Sequence, residues 1–480
     1  MPDKNPDKNP DKNLEESVVD PFKPYKGRFD SCQAIPEKGR NKDDILKELS
    51  TMSQEENSKW KNGRVSGTFY HAGDEHRAFL NKTFSFFSHV NTLQFDLCPS
   101  MSKFESEIIA MTAKMLNGDA VKTHNSEDSV CGTVTSGGSE SIAMAMKAYR
   151  DKARSEKGIT QPEVIMPKAA HPAFHKAGMY FGIKIVEIPV DLPDFRVDPA
   201  NVEAKINENT VALVGSAGNY PYGLIDPLEE LSDIALKHNI GLHVDGCLGG
   251  FILPWVEKLG YKVPVFDFRL KGLTSMSADT HKYGFALKGT SVVLYRNNNM
   301  RRYQYFSFPD WPGGIYASPT AAGSRSGGLT AATWASLVYL GEEGYLKAAG
   351  AIMKISDKIK KGVEGIPELT IIGDPTFVVS FRSDDVDVFH VNDFMKTKGW
   401  RFNILQLPPA LHFCVTMPQT EGPDIAGQLI RDLKEGVEYA KTKAGTVAET
   451  TALYGLAGTI EGNQVVTELL CGAFDLMYTV

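Results

Sequence analysis

The sequence predicts an α/β protein, with a large domain built on a mostly parallel sheet and a smaller α+β domain at the C-terminus. From Val130 onward, short apolar runs alternate with helical segments, at Val164–Met166, Ile183–Ile188, Val211–Val214, Ile240–Val244, Leu273–Ser277 and Ser291–Tyr295. Strands covered by helices on both faces leave that alternation in a chain. After about Gly344 the texture changes to a long helix, the strand-like pieces Leu369–Ile372, Phe377–Phe381 and Leu411–Thr416, and the helix Ile425–Ala440. With 42% hydrophobic and 23% charged residues among 480, the chain has the composition of a packed protein and room for about three units of roughly 150 residues each.

The elements follow in order. Residues 1–30 read as a disordered tail, since Pro-Asp-Lys-Asn repeats through Asn13 with nothing to bury. Residues 31–95 form an N-terminal arm, with a mostly polar helix at Asp43–Lys61 and a loop punctuated by Gly63, Gly67 and Gly73 around Phe69, Tyr70 and His71. The large domain takes 96–345 and opens with Lys103–Leu116, where Phe104, Ile108, Met111 and Met115 keep a helical period. The small domain takes 346–480, and its last segment, Val465–Tyr478, is expected to pack back on one of the domains.

Charge and cysteine usage narrow the function. A formal net charge of −7, without a long basic block, argues against a nucleic-acid surface. No run approaches the roughly 18 apolar residues of a membrane-spanning helix, and Met-Pro-Asp-Lys is not the start of a signal peptide. The six cysteines are scattered, with no CxxC pair and no zinc spacing. A soluble cytoplasmic protein with reduced thiols is the expectation.

Three constellations carry chemistry. Thr135-Ser136-Gly137-Gly138-Ser139-Glu140 precedes a helix with apolar Ile142, Ala145, Met146 and Tyr149. Small residues at a helix start leave N–H groups aimed at an anion, which makes the segment a phosphate cradle or else an ordinary glycine turn capped by Ser139. In Gly241-Leu242-His243-Val244-Asp245-Gly246 a strand ends on an acid, where α/β sheets bind ligands; taken alone, Asp245 is equally a cap or an ion-pair partner. In Ser277-Ala278-Asp279-Thr280-His281-Lys282-Tyr283-Gly284, Lys282 follows another strand and is either a solvated residue or a desolvated, imine-forming amine. The joint appearance of cradle, acid and amine in this order favours the ligand-binding reading of each. Pyridoxal 5'-phosphate needs an anchor for its phosphate, an anion for its ring nitrogen and an amine for its aldehyde.

These runs resemble the fold-type I pyridoxal-phosphate enzymes of the group II decarboxylase superfamily, whose large domain is aspartate aminotransferase-like, and within them the sphingosine-1-phosphate lyases. The likeness extends from about Gly63 to Tyr478. It includes Val65-Ser66-Gly67-Thr68-Phe69-Tyr70, Phe266-Asp267-Phe268-Arg269, Gly313-Gly314-Ile315-Tyr316-Ala317-Ser318-Pro319 and Ala322-Gly323-Ser324-Arg325. It implies that Lys282 engages the cofactor, that Asp245 pairs with its ring nitrogen and that His171, in Ala170-His171-Pro172, stacks over its ring. Gly137, Gly138, Ser139 and His281 would hold the cofactor phosphate, with Ser324 reaching it from the partner subunit of a homodimer that shares its active sites. Tyr70, Asn91 and Lys288 would surround the phosphate of a phosphorylated long-chain base.

Two departures stand out. Related lyases read Asn-Pro-Leu-His where this chain reads Asn91-Thr92-Leu93-Gln94, so Gln94 puts a neutral amide in place of a potential cation. Phe285 replaces a tyrosine, which is expected to remove a hydroxyl near the cofactor. The eukaryotic relatives' N-terminal membrane helix has no counterpart, so the enzyme is expected to meet its substrate from solution. The implied reaction is retro-aldol cleavage to a fatty aldehyde and phosphoethanolamine, with Lys282, His281 and Tyr220 as unranked candidates for proton transfer. The alternatives are a group II amino-acid decarboxylase with the same cofactor contacts and a non-catalytic relative, which intact Lys282 and Asp245 disfavour.

Overall fold

The computed structural model describes residues 23–190, 194–451 and 460–479. The repeat, and the expected tail as far as residue 22, lie outside the described residues. The chain divides into two compact units, Met1–Lys61 with Val447–Val480, and Asn62–Thr446.

The larger unit is built on a seven-stranded sheet. Its strands are β1 (Cys131–Thr135), β2 (Glu163–Pro167), β3 (Lys184–Ile188), β4 (Thr210–Ser216), β5 (Gly241–Asp245), β6 (Ser275–Ala278) and β7 (Ser291–Tyr295), in the order β1-β7-β6-β5-β4-β2-β3. The pairs from β3 through β6 are parallel, while β7 runs antiparallel to both β6 and β1. The apolar runs of β2, β4, β6 and β7 are buried at every residue because both faces of the sheet are covered there, while β3 at the edge is mostly exposed or half-buried. The strand period of two separates the faces. Val164, Met166 and Val214 join Ile142, Ala145 and Tyr149 of the helix Gly138–Lys157 in one cluster. Ile165, Leu213 and Val244 join Leu231 and Ile234 of the helix Leu228–Lys237 in another.

A hairpin, β8 (Phe306–Phe308) with β9 (Tyr316–Ser318), precedes a four-stranded antiparallel sheet of β10 (Thr370–Ile371), β11 (Val378–Arg382), β12 (Asn403–Gln406) and β13 (Pro409–Cys414), ordered β10-β11-β13-β12. The helix Ile425–Thr442 buries Leu429, Leu433 and Val437. The long helix starts earlier than its apolar texture suggests. The helical span Gly327–Glu364 is two helices that meet at a kink on Gly341, where φ is 57° and ψ is −174°. A helix at Asp74–Phe87, which buries only His76 and Leu80, lacked the apolar stripe that would have announced it.

In the smaller unit the helix Lys42–Ser58 starts on Asn41, whose side chain accepts from the Asp43 N–H at 2.7 Å, and buries none of its residues. The helix Ile460–Tyr478 corrects the expectation of a packed C-terminal segment: Val465, Leu469, Phe474 and Met477 are all exposed. Among the described residues no helix is long and apolar enough to cross a membrane.

Candidate active site

The site forms at the carboxyl ends of the central parallel strands, where ligands of open α/β sheets bind. Ser216 of β4 lies in register with Asp245 of β5, and Asp245 with Ser277 of β6. Asp245 is buried, and its Oδ1 accepts from the Cys247 N–H at 3.0 Å and the Ser277 hydroxyl at 3.2 Å. Behind it, the Ser277 hydroxyl lies 3.3 Å from His243 Nε2, and His243 Nδ1 lies 2.8 Å from the Ser275 hydroxyl. Burial pushes His243 down to about 4, so this relay stays uncharged and fixes the carboxylate without competing for it.

The glycine segment is a helix start, not a capped turn. After β1 the chain is extended at Gly137, the helix begins at Gly138, and no side chain caps it; Ser139 lies inside the first turn. The Glu140 carboxylate folds back to accept from the N–H groups of Ser136, at 2.6 Å, and Ala321, at 2.9 Å. The helix start opens on a cavity of ≈ 400 Å³ that Gly137, Gly138 and Ser139 share with His171, Asp245 and Lys282; His281 lines it too. An anion cradle, an imidazole ring, a strand-end carboxylate and an amine therefore face one space. That donor set fits pyridoxal phosphate.

Lys282 Nζ lies 2.8 Å from Asp279 Oδ2. Burial opposes its charge, but the Asp279 carboxylate outweighs that penalty and holds the ammonium above the ordinary lysine range. Burial lowers both His171 and His281. The His171 ring is anchored at Nδ1, which accepts from the Ala173 N–H at 3.1 Å, and His281 Nδ1 donates to the Thr290 carbonyl.

A second cavity of ≈ 290 Å³ shares His171, Asp245, Cys247 and Lys282 with the first and extends to Tyr70, Lys288, Tyr220, Asn403 and His412. Lys288 Nζ sits 4.8 Å from the centre of the Tyr70 ring. Partial burial, and then repulsion from Lys282, lower it to about 8. The Tyr70 hydroxyl is 3.8 Å from Cys414 Sγ, and burial raises it well above its ordinary value. Tyr220 is 49% exposed, with its ring edge-on to His412 at 5.1 Å. His412 Nδ1 donates to the Pro221 carbonyl at 2.9 Å, and its Nε2 accepts from Asn403 Nδ2 at 2.8 Å.

Three expected residues are not in this assembly. Asn91, Gln94 and Ser324 line neither cavity; Asn91 Nδ2 donates to the Ser324 hydroxyl at 2.9 Å, and Gln94 is exposed. Phe285 is a correction. It lines neither cavity, but stacks on Tyr345 at 6.1 Å, which in turn stacks on Trp255, so the replaced hydroxyl belongs to an apolar aromatic layer. Sequence reasoning missed Cys247, Asp279, Asn403 and His412 as lining residues. Cys247 directly follows one recognised motif and Asp279 lies within another, whereas the last two come from the C-terminal sheet and carry no local signal.

Comparison with known proteins adds family to geometry. Residues 26–383 match the pyridoxal-dependent decarboxylase conserved domain. The chain is 46% identical to the sphingosine-1-phosphate lyase of Oryza sativa subsp. japonica, covering 90% of this chain and 79% of that one. It is 39% identical to the sphingosine-1-phosphate lyase of Saccharomyces cerevisiae, covering 97% and 78%. The solved sphingosine-1-phosphate lyase of Burkholderia pseudomallei superposes with a TM-score of 0.86 at 52% identity, over 87% of this chain and 95% of that one. A glutamate decarboxylase of Lactobacillus brevis shares the fold, with a TM-score of 0.72 at 20% identity over 89% and 100%.

Proposed function

The chain belongs to the sphingosine-1-phosphate lyases of the pyridoxal-dependent decarboxylase family, and from that membership we propose how its own residues split a phosphorylated long-chain base. The reaction is cleavage of the C2–C3 bond to a fatty aldehyde and phosphoethanolamine. Bound pyridoxal phosphate supplies an aldehyde for the substrate amine and a cationic ring that accepts the electrons of the breaking bond. The cradle from Gly137 to Ser139, with His281, holds its phosphate; Asp245 keeps its ring nitrogen protonated, His171 covers its ring and Lys282 engages its aldehyde.

The observation that carries this reading is the shared wall. Lys282 faces the cofactor-side cavity and also the one that Tyr70 and Lys288 line, so one amine meets both cofactor and substrate. Lys288 and the Tyr70 hydroxyl bind the substrate phosphate. Lys282 and Tyr220 both reach the substrate cavity, whereas His281 lines only the cofactor side, which favours the first two for moving the proton of the C3 hydroxyl. The buried His412 supports the edge of Tyr220.

The active site is completed in a homodimer. The contact between Asn91 and Ser324, apart from both cavities, supports Ser324 of the partner subunit reaching the cofactor phosphate. We place the enzyme in the cytoplasm, a reading supported by six cysteines that are all free thiols.

The test incubates purified protein and pyridoxal phosphate with a phosphorylated long-chain base and, separately, with a panel of amino acids. Release of fatty aldehyde from the base, without carbon dioxide from the amino acids, is expected. Carbon dioxide without aldehyde would overturn the reading in favour of a decarboxylase.

A further inference from the structure

Lys282 does not face the cofactor-side cavity alone. Asp279, which directly follows β6, is 2% exposed, and its Oδ2 lies 2.8 Å from Lys282 Nζ and 3.8 Å from His281 Nε2. Its Oδ1 is equally buried and makes no close hydrogen bond, with the Ser291 hydroxyl as the nearby donor that favours its charge. Gly138 makes room for this carboxylate: a Cβ there would stand 2.8 Å from both oxygens and from Cys247 Sγ. Asp279 lines the cofactor-side cavity and not the other, so its charge lies between the amine and the start of the cradle. His281 completes the arrangement. Because its Nδ1–H donates to the Thr290 carbonyl, the neutral ring turns the lone pair of Nε2 toward Asp279, a contact that becomes attractive only when Nε2 takes a proton.

We infer that Asp279 is a positioning residue that holds the Lys282 ammonium on the cofactor side while the amine is free, and draws a proton onto His281 Nε2 when that cation is withdrawn. The inference rests on reading Lys282 as the amine that engages the cofactor. A carboxylate this deeply buried needs a cation beside it, and these two nitrogens are the basic groups within 4 Å. The other titratable groups whose fields reach Lys282 or Asp279 are His171, Asp245, Cys247, Lys288, Cys414 and Tyr70. Of these only His171 and Lys288 can be cationic, and neither pairs with Asp279 among the ion pairs of the described residues.

The test uses cofactor-free protein. Brief labelling with acetic anhydride across a pH series, read by mass spectrometry of the Lys282 peptide, gives the midpoint at which the amine loses its proton. In the wild type it should lie above the ordinary lysine value of about 10.4. In Asp279→Asn it should fall by at least about one unit, with labelling at a fixed lower pH about tenfold faster. Histidine titration by NMR supplies the second arm. The His281 midpoint should rise by about a unit in Lys282→Ala relative to wild type and fall back in Lys282→Ala/Asp279→Asn. Coincident wild-type and Asp279→Asn labelling profiles, a wild-type midpoint at or below the ordinary value, or an unmoved His281 would each overturn the inference. The wild-type midpoint and the Lys282→Ala titration do not depend on Asp279→Asn folding. Failure of the Lys282 reading itself is seen separately, as yellow absorbance that survives Lys282→Ala.

Discussion

Lys288 offers the sharpest test of how the substrate phosphate is held. Its Nζ leans over the Tyr70 ring, and partial burial with repulsion from Lys282 brings it to about 8. A hydrogen bond to a charged group contributes about 1.5–3 kcal/mol. Lys288 is exposed as a residue, which favours the lower end of that range. Lys288→Met should therefore raise KM for a phosphorylated long-chain base roughly tenfold, while cofactor absorbance is unchanged. The sign of the pH dependence follows from the same geometry. The ammonium binds the phosphate dianion and the neutral amine does not, so affinity declines as pH rises beyond about 8, by up to about tenfold per unit. Steady-state KM across that window, for wild type and Lys288→Met, separates the cases. A variant whose KM matches the wild type, or which keeps the same rise in KM through pH 8, would refute the assignment of this amine to the phosphate. Loss of cofactor in the variant would place Lys288 on the wrong side of Lys282.

Three further outcomes are expected. Lys282→Ala should abolish the yellow absorbance of the cofactor-loaded protein, measured by spectrophotometry after dialysis; a variant that remains yellow removes Lys282 from its role. Gln94→His should lower KM for the phosphorylated base several-fold below about pH 6.5, where the imidazole is charged; the same change in KM at higher pH would show that charge is not its cause. Asp226 is buried behind β4, where its Oδ2 accepts from the Ser216 N–H at 2.7 Å, and burial raises it to about 7. A carboxyl raised in the folded state contributes stability that is complete below its unfolded value and is lost as pH climbs to the folded one, at about 1.4 kcal/mol per unit. Asp226→Asn should thus melt increasingly above the wild type between about pH 4 and 7, and a melting difference that is flat across that window would contradict the burial argument.

The large sheet was legible because its central strands are buried on both faces. Val164–Met166 or Ser291–Tyr295 could hardly belong to anything else, and the strand-end positions of Asp245 and Lys282 came with them. Helices with few buried residues were less legible: Asp74–Phe87 has no continuous apolar stripe, and the helix from Gly327 carries small residues, such as Ala331 and Ala335, where it is buried. The cofactor-side residues were readable in sequence because they lie within short runs at strand ends. Asn403 and His412 were not, since a cavity wall drawn from β12 and β13 depends on how a second antiparallel sheet packs near Tyr220, and no local pattern records that. Phe285 shows the opposite error. The tyrosine of related lyases suggested a hydroxyl near the cofactor, but with φ at 56° the chain turns this ring into the stack with Tyr345.

The charge layout explains why a single lysine can serve two phosphate-bearing ligands. On the cofactor side its cation is matched by Asp279 at 2.8 Å; on the substrate side the same cation repels Lys288 and helps lower it to about 8. Withdrawing the Lys282 charge removes that repulsion, so the Lys288 midpoint moves upward and the fall of affinity in the cofactor-loaded enzyme is expected above about 8. The direction is set by electrostatics alone, since loss of a neighbouring like charge always favours the protonated amine.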